Sequence, residues 1–120
     1  MLMQPSSPQP SGGDESPSAL FIDTASQDAD TLIVIPVGDA DLGTLPELRQ
    51  ALSEVIGAGR SQVIVDLDRL TFMDASILGV LVDTRLRLSA TGGTLQVRCS
   101  TPHGRRMLSV TGLDGMLDYR

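Results

Sequence analysis

Between Gln62 and Val82 the chain passes from a strand that cannot stay half-exposed into a helix whose first turn carries an acid and a hydroxyl. Successive side chains of a strand point to opposite faces, so Val63-Ile64-Val65 is apolar on both faces, the pattern of a central strand covered on each side. Asp66-Leu67 closes that strand, and Thr71-Phe72-Met73 leads into Asp74-Ala75-Ser76-Ile77-Leu78-Gly79. Asp is a preferred N-cap because its carboxylate accepts an otherwise unpaired first-turn N–H; with Asp74 as the cap, Ser76 stands at the second helical position. A hydroxyl there is near the surface in the positive end of the helix dipole, where a phosphate could meet free backbone amides.

The segments on either side fit an α/β fold. Leu20-Phe21-Ile22 and the β-branched run Thr31-Leu32-Ile33-Val34-Ile35 predict an antiparallel hairpin across a polar turn at Gln27 to Asp30. Gly38-Asp39-Ala40-Asp41-Leu42-Gly43 then reads as a loop, and Thr44-Leu45-Pro46-Glu47 has the spacing of a capping box. Leu45, Leu48, Leu52, Val55 and Ile56 share one face of the following helix, with Gly57 and Gly59 as its stop. A second helix from Asp74 to about Ala90 places Ile77, Leu81 and Leu88 on one line. Leu78, Val82 and Leu86 widen its apolar arc enough for part of it to face a partner. Thr94 to Cys99 alternates as a half-exposed strand, and Thr101-Pro102 opens a last helix with Met107, Leu108 and Val110 apolar. The order strand, strand, helix, strand, helix, strand, helix predicts an α/β fold: a mixed β-sheet of about four strands with helices packed on it. The loops 38–43 and 68–74 are expected at the same edge. Residues 1–18, rich in Pro, Ser and Gly, are expected to form a disordered tail ahead of a single domain over 19–120.

Composition narrows the function. A net charge of −6 and a pI near 4.4 argue against a phosphate-backbone footprint, so no direct nucleic-acid partner is expected. With Cys99 as the only cysteine there is no intramolecular disulfide and no zinc-ligand spacing, so no metal or cofactor is expected. No stretch has the apolar length of a membrane span or the form of a signal peptide, which predicts no membrane association and a cytoplasmic location.

Asp39, Asp41, Asp74 and Ser76 are the candidates for chemistry. The one histidine, His103, follows Pro102 at a helix start, and a serine without a positioned base is a poor nucleophile, so an enzyme is not expected. Asp66 and Asp68 read as solvated or capping acids, Gly92-Gly93 as a helix stop, and Cys99 as a small core residue. Arg105-Arg106 is not specific for an anion.

The pattern as a whole resembles the STAS domain of bacterial anti-anti-sigma factors over about Leu20 to Tyr119. The resemblance rests on Gly38-Asp39-Ala40-Asp41-Leu42, an amphipathic helix, the run Val63 to Leu81 with Phe72-Met73-Asp74-Ala75-Ser76-Ile77-Leu78-Gly79 at its centre, and Thr111-Gly112-Leu113. It implies a STAS-like sheet and a non-enzymatic switch: an antagonist that binds an anti-sigma factor with serine kinase activity, frees a sigma factor, and is switched off by phosphorylation, with a serine phosphatase as a further partner. By position it makes Ser76 the phosphoacceptor, Asp74 the acid before it and Asp41 the acid of the family's Gly-Glu-Leu-Asp motif. Asp39 stands in the Glu position of that motif and Ala40 in its Leu position. Ala75 replaces the family's usual Ser or Thr and Ile77 its usual Gly, so Asp39, Ala75 and Ile77 are assigned to the partner interface. Ile77 either packs within its own domain or alters partner choice or impairs phosphorylation. The alternative is a non-phosphorylated STAS scaffold or ligand-sensing subunit of a larger regulatory assembly.

Overall fold

The computed structural model of the chain describes residues 19–110 and 112–116. The expected tail at 1–18, Thr111 and the end of the chain from 117 lie outside the described residues. Strands β1 (Leu20–Ser26) and β2 (Thr31–Ala40) form the expected antiparallel hairpin, with Leu20 opposite Gly38 and Ser26 opposite Leu32. Helix α1 (Leu45–Gly57) crosses over to β3 (Gln62–Asp66), which runs parallel to β2. Helix α2 (Ser76–Ser89) then crosses to β5 (Thr94–Arg98), parallel to β3, and α3 (Pro102–Val110) and a short 3-10 turn (Leu113–Met116) follow.

One strand more than expected is present, β4 (Leu70–Met73). It pairs parallel with β2, Gly38 opposite Leu70 and Ala40 opposite Met73, while β3 pairs with the first half of β2, Thr31 to Val34. Thus β3 and β4 lie end to end along the same side of β2, one strand line broken by the excursion at Leu67 to Arg69. The break has a use: the Leu67 N–H donates to the Arg98 carbonyl at 2.8 Å, carrying the chain briefly toward β5. Pro36, which has no N–H to give, falls between the two registers, where neither β3 nor β4 supplies a partner residue.

The stretch Gly38 to Ala40, expected as loop, is the end of β2. Asp39 donates its N–H to the Ala19 carbonyl at 2.9 Å on one side and pairs with Phe72 on the other. Pairing on both edges outweighs the poor strand preference of Gly and Asp. Gly38 is needed here: its φ is +118°, and a Cβ would collide with the Ala19 carbonyl oxygen.

The main core lies on the sheet face that carries Val34, Val63, Val65 and Val97. It is closed by Leu45, Leu48, Leu52 and Val55 of α1 and by Ile77, Val80, Leu81 and Leu88 of α2. The amphipathic reading of α1 is therefore borne out, as is the alternation of β5 into a buried Leu95-Val97-Cys99 face. Ile64 points to the other face, between Ile33 and Gln96, and is buried at 3% exposure, although it stands apart from the main core. Of the apolar residues of α3, Leu108 is buried and Val110 is 81% exposed. Cys99 is a core residue, its sulfur 3.5 Å from the Thr101 hydroxyl, and His103 is exposed.

Candidate functional site

Because β2 and β4 run parallel and end in register, the turns that follow them leave the sheet side by side, the expected convergence of the two segments. The Asp74 N–H donates to the Ala40 carbonyl at 3.2 Å, which ties the β4–α2 turn to the β2–α1 turn. Carboxyl ends of parallel strands are where α/β sheets ordinarily present binding residues. Asp39, Asp41, Asp74 and Ser76 all belong to these two strand ends and their turns.

Asp74 works as a cap. Its Oδ1 accepts the Ser76 N–H at 2.9 Å and also the Ser76 hydroxyl in a very short bond. Its backbone carbonyl accepts the Ile77 N–H at 3.3 Å, and the Ala75 carbonyl accepts the Leu78 N–H at 3.0 Å. Ala75, the residue just before α2, already has helical dihedral angles (φ −65°, ψ −14°), so helical backbone reaches back to it and the Asp74 carboxylate serves the first turn from one residue further out than the boundary of α2. One expectation needs correcting. The amides of Ser76, Ile77 and Leu78 are all taken, so a phosphate on Ser76 would meet the helix dipole but no free first-turn N–H among these three.

The neighbouring turn is organised by a second carboxylate. Asp41 Oδ1 accepts the N–H groups of Gly43 at 2.9 Å and Thr44 at 3.1 Å. The buried Thr44 hydroxyl donates to the Asp39 carbonyl at 2.7 Å and accepts the Asp41 N–H at 3.0 Å. Thr44 is spent on this turn and makes no side-chain cap on α1, so the expected capping box with Glu47 does not form. Asp39 in turn accepts the Thr71 hydroxyl at 2.7 Å. Thr71 is the extra residue where the β2–β4 register shifts, and sequence reasoning gave neither it nor Thr44 a place at the site. Both are threonines within reach of a strand-end acid, a signal that becomes readable only once β4 is known to pair with β2.

The three residues assigned to a partner interface are divided by the structure. Ala75 is exposed and Asp39 half-buried. Ile77 is 0% exposed and belongs to the core, so its side chain cannot touch a partner across this surface. The first helical turn directs that position inward, toward the sheet, and a branched side chain fills the space. Leu42, between Asp41 and Thr44, is instead 77% exposed and gives the site an apolar contact that the sequence did not single out. Ser76 is half-buried. Among the described residues, no group of three His, Cys, Asp or Glu side chains is placed to hold a metal, and no helix is long and apolar enough to cross a membrane.

Comparison with known proteins gives a consistent picture. The family described as "Mlab, STAS domain" matches residues 22–118. An anti-sigma-B factor antagonist of Staphylococcus aureus is 28% identical over 98 residues, covering 82% of this chain and 90% of that protein. An anti-sigma factor antagonist of Mycobacterium paratuberculosis has a similar structure, with a TM-score of 0.76 and 24% identity over 85% of this chain and 87% of that one. The anti-sigma factor antagonist SpoIIAA also shares the fold. Its unphosphorylated form gives a TM-score of 0.72 with 22% identity over 82% of this chain and 86% of that one. Its phosphorylated form, from Bacillus, gives 0.67, also at 22% identity, over 82% and 89%.

Proposed function

The chain belongs to the STAS domain family, and on that footing we propose that it is an anti-sigma factor antagonist whose binding surface is centred on Ser76 and switched off by phosphorylation there. The observation that carries the reading is the Asp74–Ser76 turn: a half-buried hydroxyl at a helix start, hydrogen-bonded to a carboxylate and flanked by exposed Ala75. In the transfer, Ser76 Oγ attacks the γ-phosphorus of ATP held by the partner kinase and the bond to the bridging oxygen breaks. ADP leaves, and the hydroxyl proton departs toward Asp74, which already accepts it. Asp41 shapes the adjoining turn and Asp39 holds Thr71, so these acids act as positioning residues for the surface.

The same bond explains why a phosphate would act as a switch. A phosphoserine has no hydroxyl to give, so Asp74 loses a donor and gains a neighbour of charge about −1.5 to −2. With the nearby amides engaged, the dianion must turn outward into the docking surface. A partner shaped for a serine would then have to desolvate it. Leu42, exposed beside the same strand ends, supplies apolar contact for the unmodified state.

The engagement of the Ser76 hydroxyl by the chain's own Asp74 also favours a second reading, in which the serine is structural and the protein is a non-phosphorylated scaffold or ligand-sensing subunit. Intact mass after incubation with the anti-sigma factor kinase of its own organism and ATP separates the two. A gain of one phosphate in the wild type, absent in Ser76→Ala, is expected. No gain in the wild type would leave the scaffold reading in its place.

A further inference from the structure

We propose that the groove between α2 and α3 is a docking site for an amphipathic helix of the anti-sigma partner, acidic at the end that meets Arg106. This rests on the antagonist reading and extends it to a second surface. Two cavities, of about 320 and 430 Å³, meet at the largely buried Leu78 and together line a trough along α2. Its walls are apolar: Leu78, Val82 and Leu86 recur every fourth residue on α2, facing Met107 and Val110 of α3 and Leu113 beyond it. Leu86 and Val110 are 65% and 81% exposed, a large apolar area for a small domain to leave open. From Ala75 to Leu86 the trough runs roughly 16 Å, about three helical turns at 1.5 Å per residue. A straight ridge of residues four apart is the surface into which another helix sets its own side chains, and such grooves are read by anchors at i, i+4 and i+7.

Charge selects the occupant. Although the whole chain carries −6, α3 bears Arg105, Arg106 and His103 and no acid. Arg106 and His103 line the trough at its Ala75 end, and Asp83, 3.8 Å from Arg87, lines the other. An apolar helix with an acid near Arg106 matches both walls and rim. Ala75 adjoins Ser76 in the chain and lines the same cavity as Arg106, so a phosphate on Ser76 would stand near the partner's acid and repel it, less strongly as salt screens the pair. The trough and the Ser76 turn would thus be read by one partner in a single docking event.

The test is the affinity of the full chain for the anti-sigma factor kinase of its organism, measured by calorimetry at two salt concentrations. Leu86→Asp, Val110→Asp and Arg106→Glu should each weaken binding by about tenfold or more, as truncated anchors of an interface do. Arg106→Glu should also flatten the salt dependence. Phe21→Asp, at an exposed position on β1 away from α2, should bind as wild type. All four positions are exposed, and unchanged circular dichroism will show that the variants fold. Wild-type affinity in both apolar variants, with Ser76→Asp still impaired, would overturn the trough and leave the antagonist reading intact. Weakening by the apolar variants but not by Arg106→Glu would overturn the acidic occupant. A wild-type chain that does not bind the anti-sigma factor would overturn both.

Discussion

Replacing Ser76 by Asp, alone and together with Asp74→Asn, tests whether Asp74 senses charge at residue 76. In the wild type the hydroxyl donates to the Asp74 carboxylate, and a hydrogen bond to a charged acceptor contributes about 1.5 kcal/mol or more. Ser76→Asp removes that donor and sets a second carboxylate beside the first. At a separation of about 4 Å two unit charges repel by about 1 kcal/mol in water, and by more where solvent is partly excluded, as at these half-buried residues. The helix N-terminus returns about 0.3–1 kcal/mol to the new acid. The net cost should be about 2 kcal/mol, or a fall in Tm of roughly 10 °C for a domain near 100 residues. Asn is as good a cap as Asp, so Asp74→Asn keeps the acceptor for the Ser76 N–H, removes the like charge and supplies an amide donor to the new carboxylate. In that background Ser76→Asp should cost no more than about 0.5 kcal/mol, giving a coupling energy of about 1.5 kcal/mol in a double-mutant cycle. Urea unfolding of the four proteins measures it. Equal costs in both backgrounds would refute the argument, because the Asp74 contact would then play no part in how the site responds to a negative charge.

Ile77→Ala should destabilise the fold by about 3 kcal/mol, since it empties a fully buried site between α2 and the sheet; a near-neutral effect in urea would mean that Ile77 is not held in the core. Gly38→Ala should cost about 2 kcal/mol or more, because the position requires positive φ and lies against the Ala19 carbonyl, and an unchanged unfolding midpoint would contradict both. Asp28, in the β1–β2 turn, accepts the N–H groups of Asp30 and Thr31 at 2.9 Å each; the bond from Asp30 chiefly holds its carboxyl below the ordinary value of 3.8. A depressed acid adds stability that is present above the unfolded value and is lost as pH falls through it toward the folded one. Amide exchange at Asp30 and Thr31 should therefore gain an opening term below about pH 4 that Asp28→Ala shows at all pH values; protection unchanged by acid would remove the turn from the account.

The parts of the fold that were legible in the sequence are those where one local signal decided the outcome. The two-faced run Val63 to Val65, the stripe on α1 and the alternation of β5 each report burial directly, and burial is what their periodicity encodes. Strand β4 was hidden for the opposite reason. Thr71 and Phe72 are exposed, and the strand exists because the end of β2 offers it a free edge, a fact that no four-residue window contains. Thr44 shows how a correct motif can be outbid: its hydroxyl oxygen had the choice of accepting a first-turn N–H of α1 or the Asp41 N–H, and the turn after β2 won. The site was read from the same short stretch as the fold, yet only its cap was fully legible. Asp74 bonds to residues two and three places ahead, so its role is written locally. Asp41 likewise bonds two and three places ahead, whereas Asp39, which accepts the Thr71 hydroxyl, depends on which strands lie beside one another. Ile77 makes the same distinction in one residue: its sequence position leaves open whether it packs within its own domain, and its full burial follows from how α2 lies on the sheet, beyond a turn that the Asp74–Ala40 bond ties to its neighbour. Half-buried Ser76 and fully buried Ile77 thus stand next to one another at the start of that helix. Any change that loosens the Asp74–Ala40 bond should disturb the Ser76 turn and the core together.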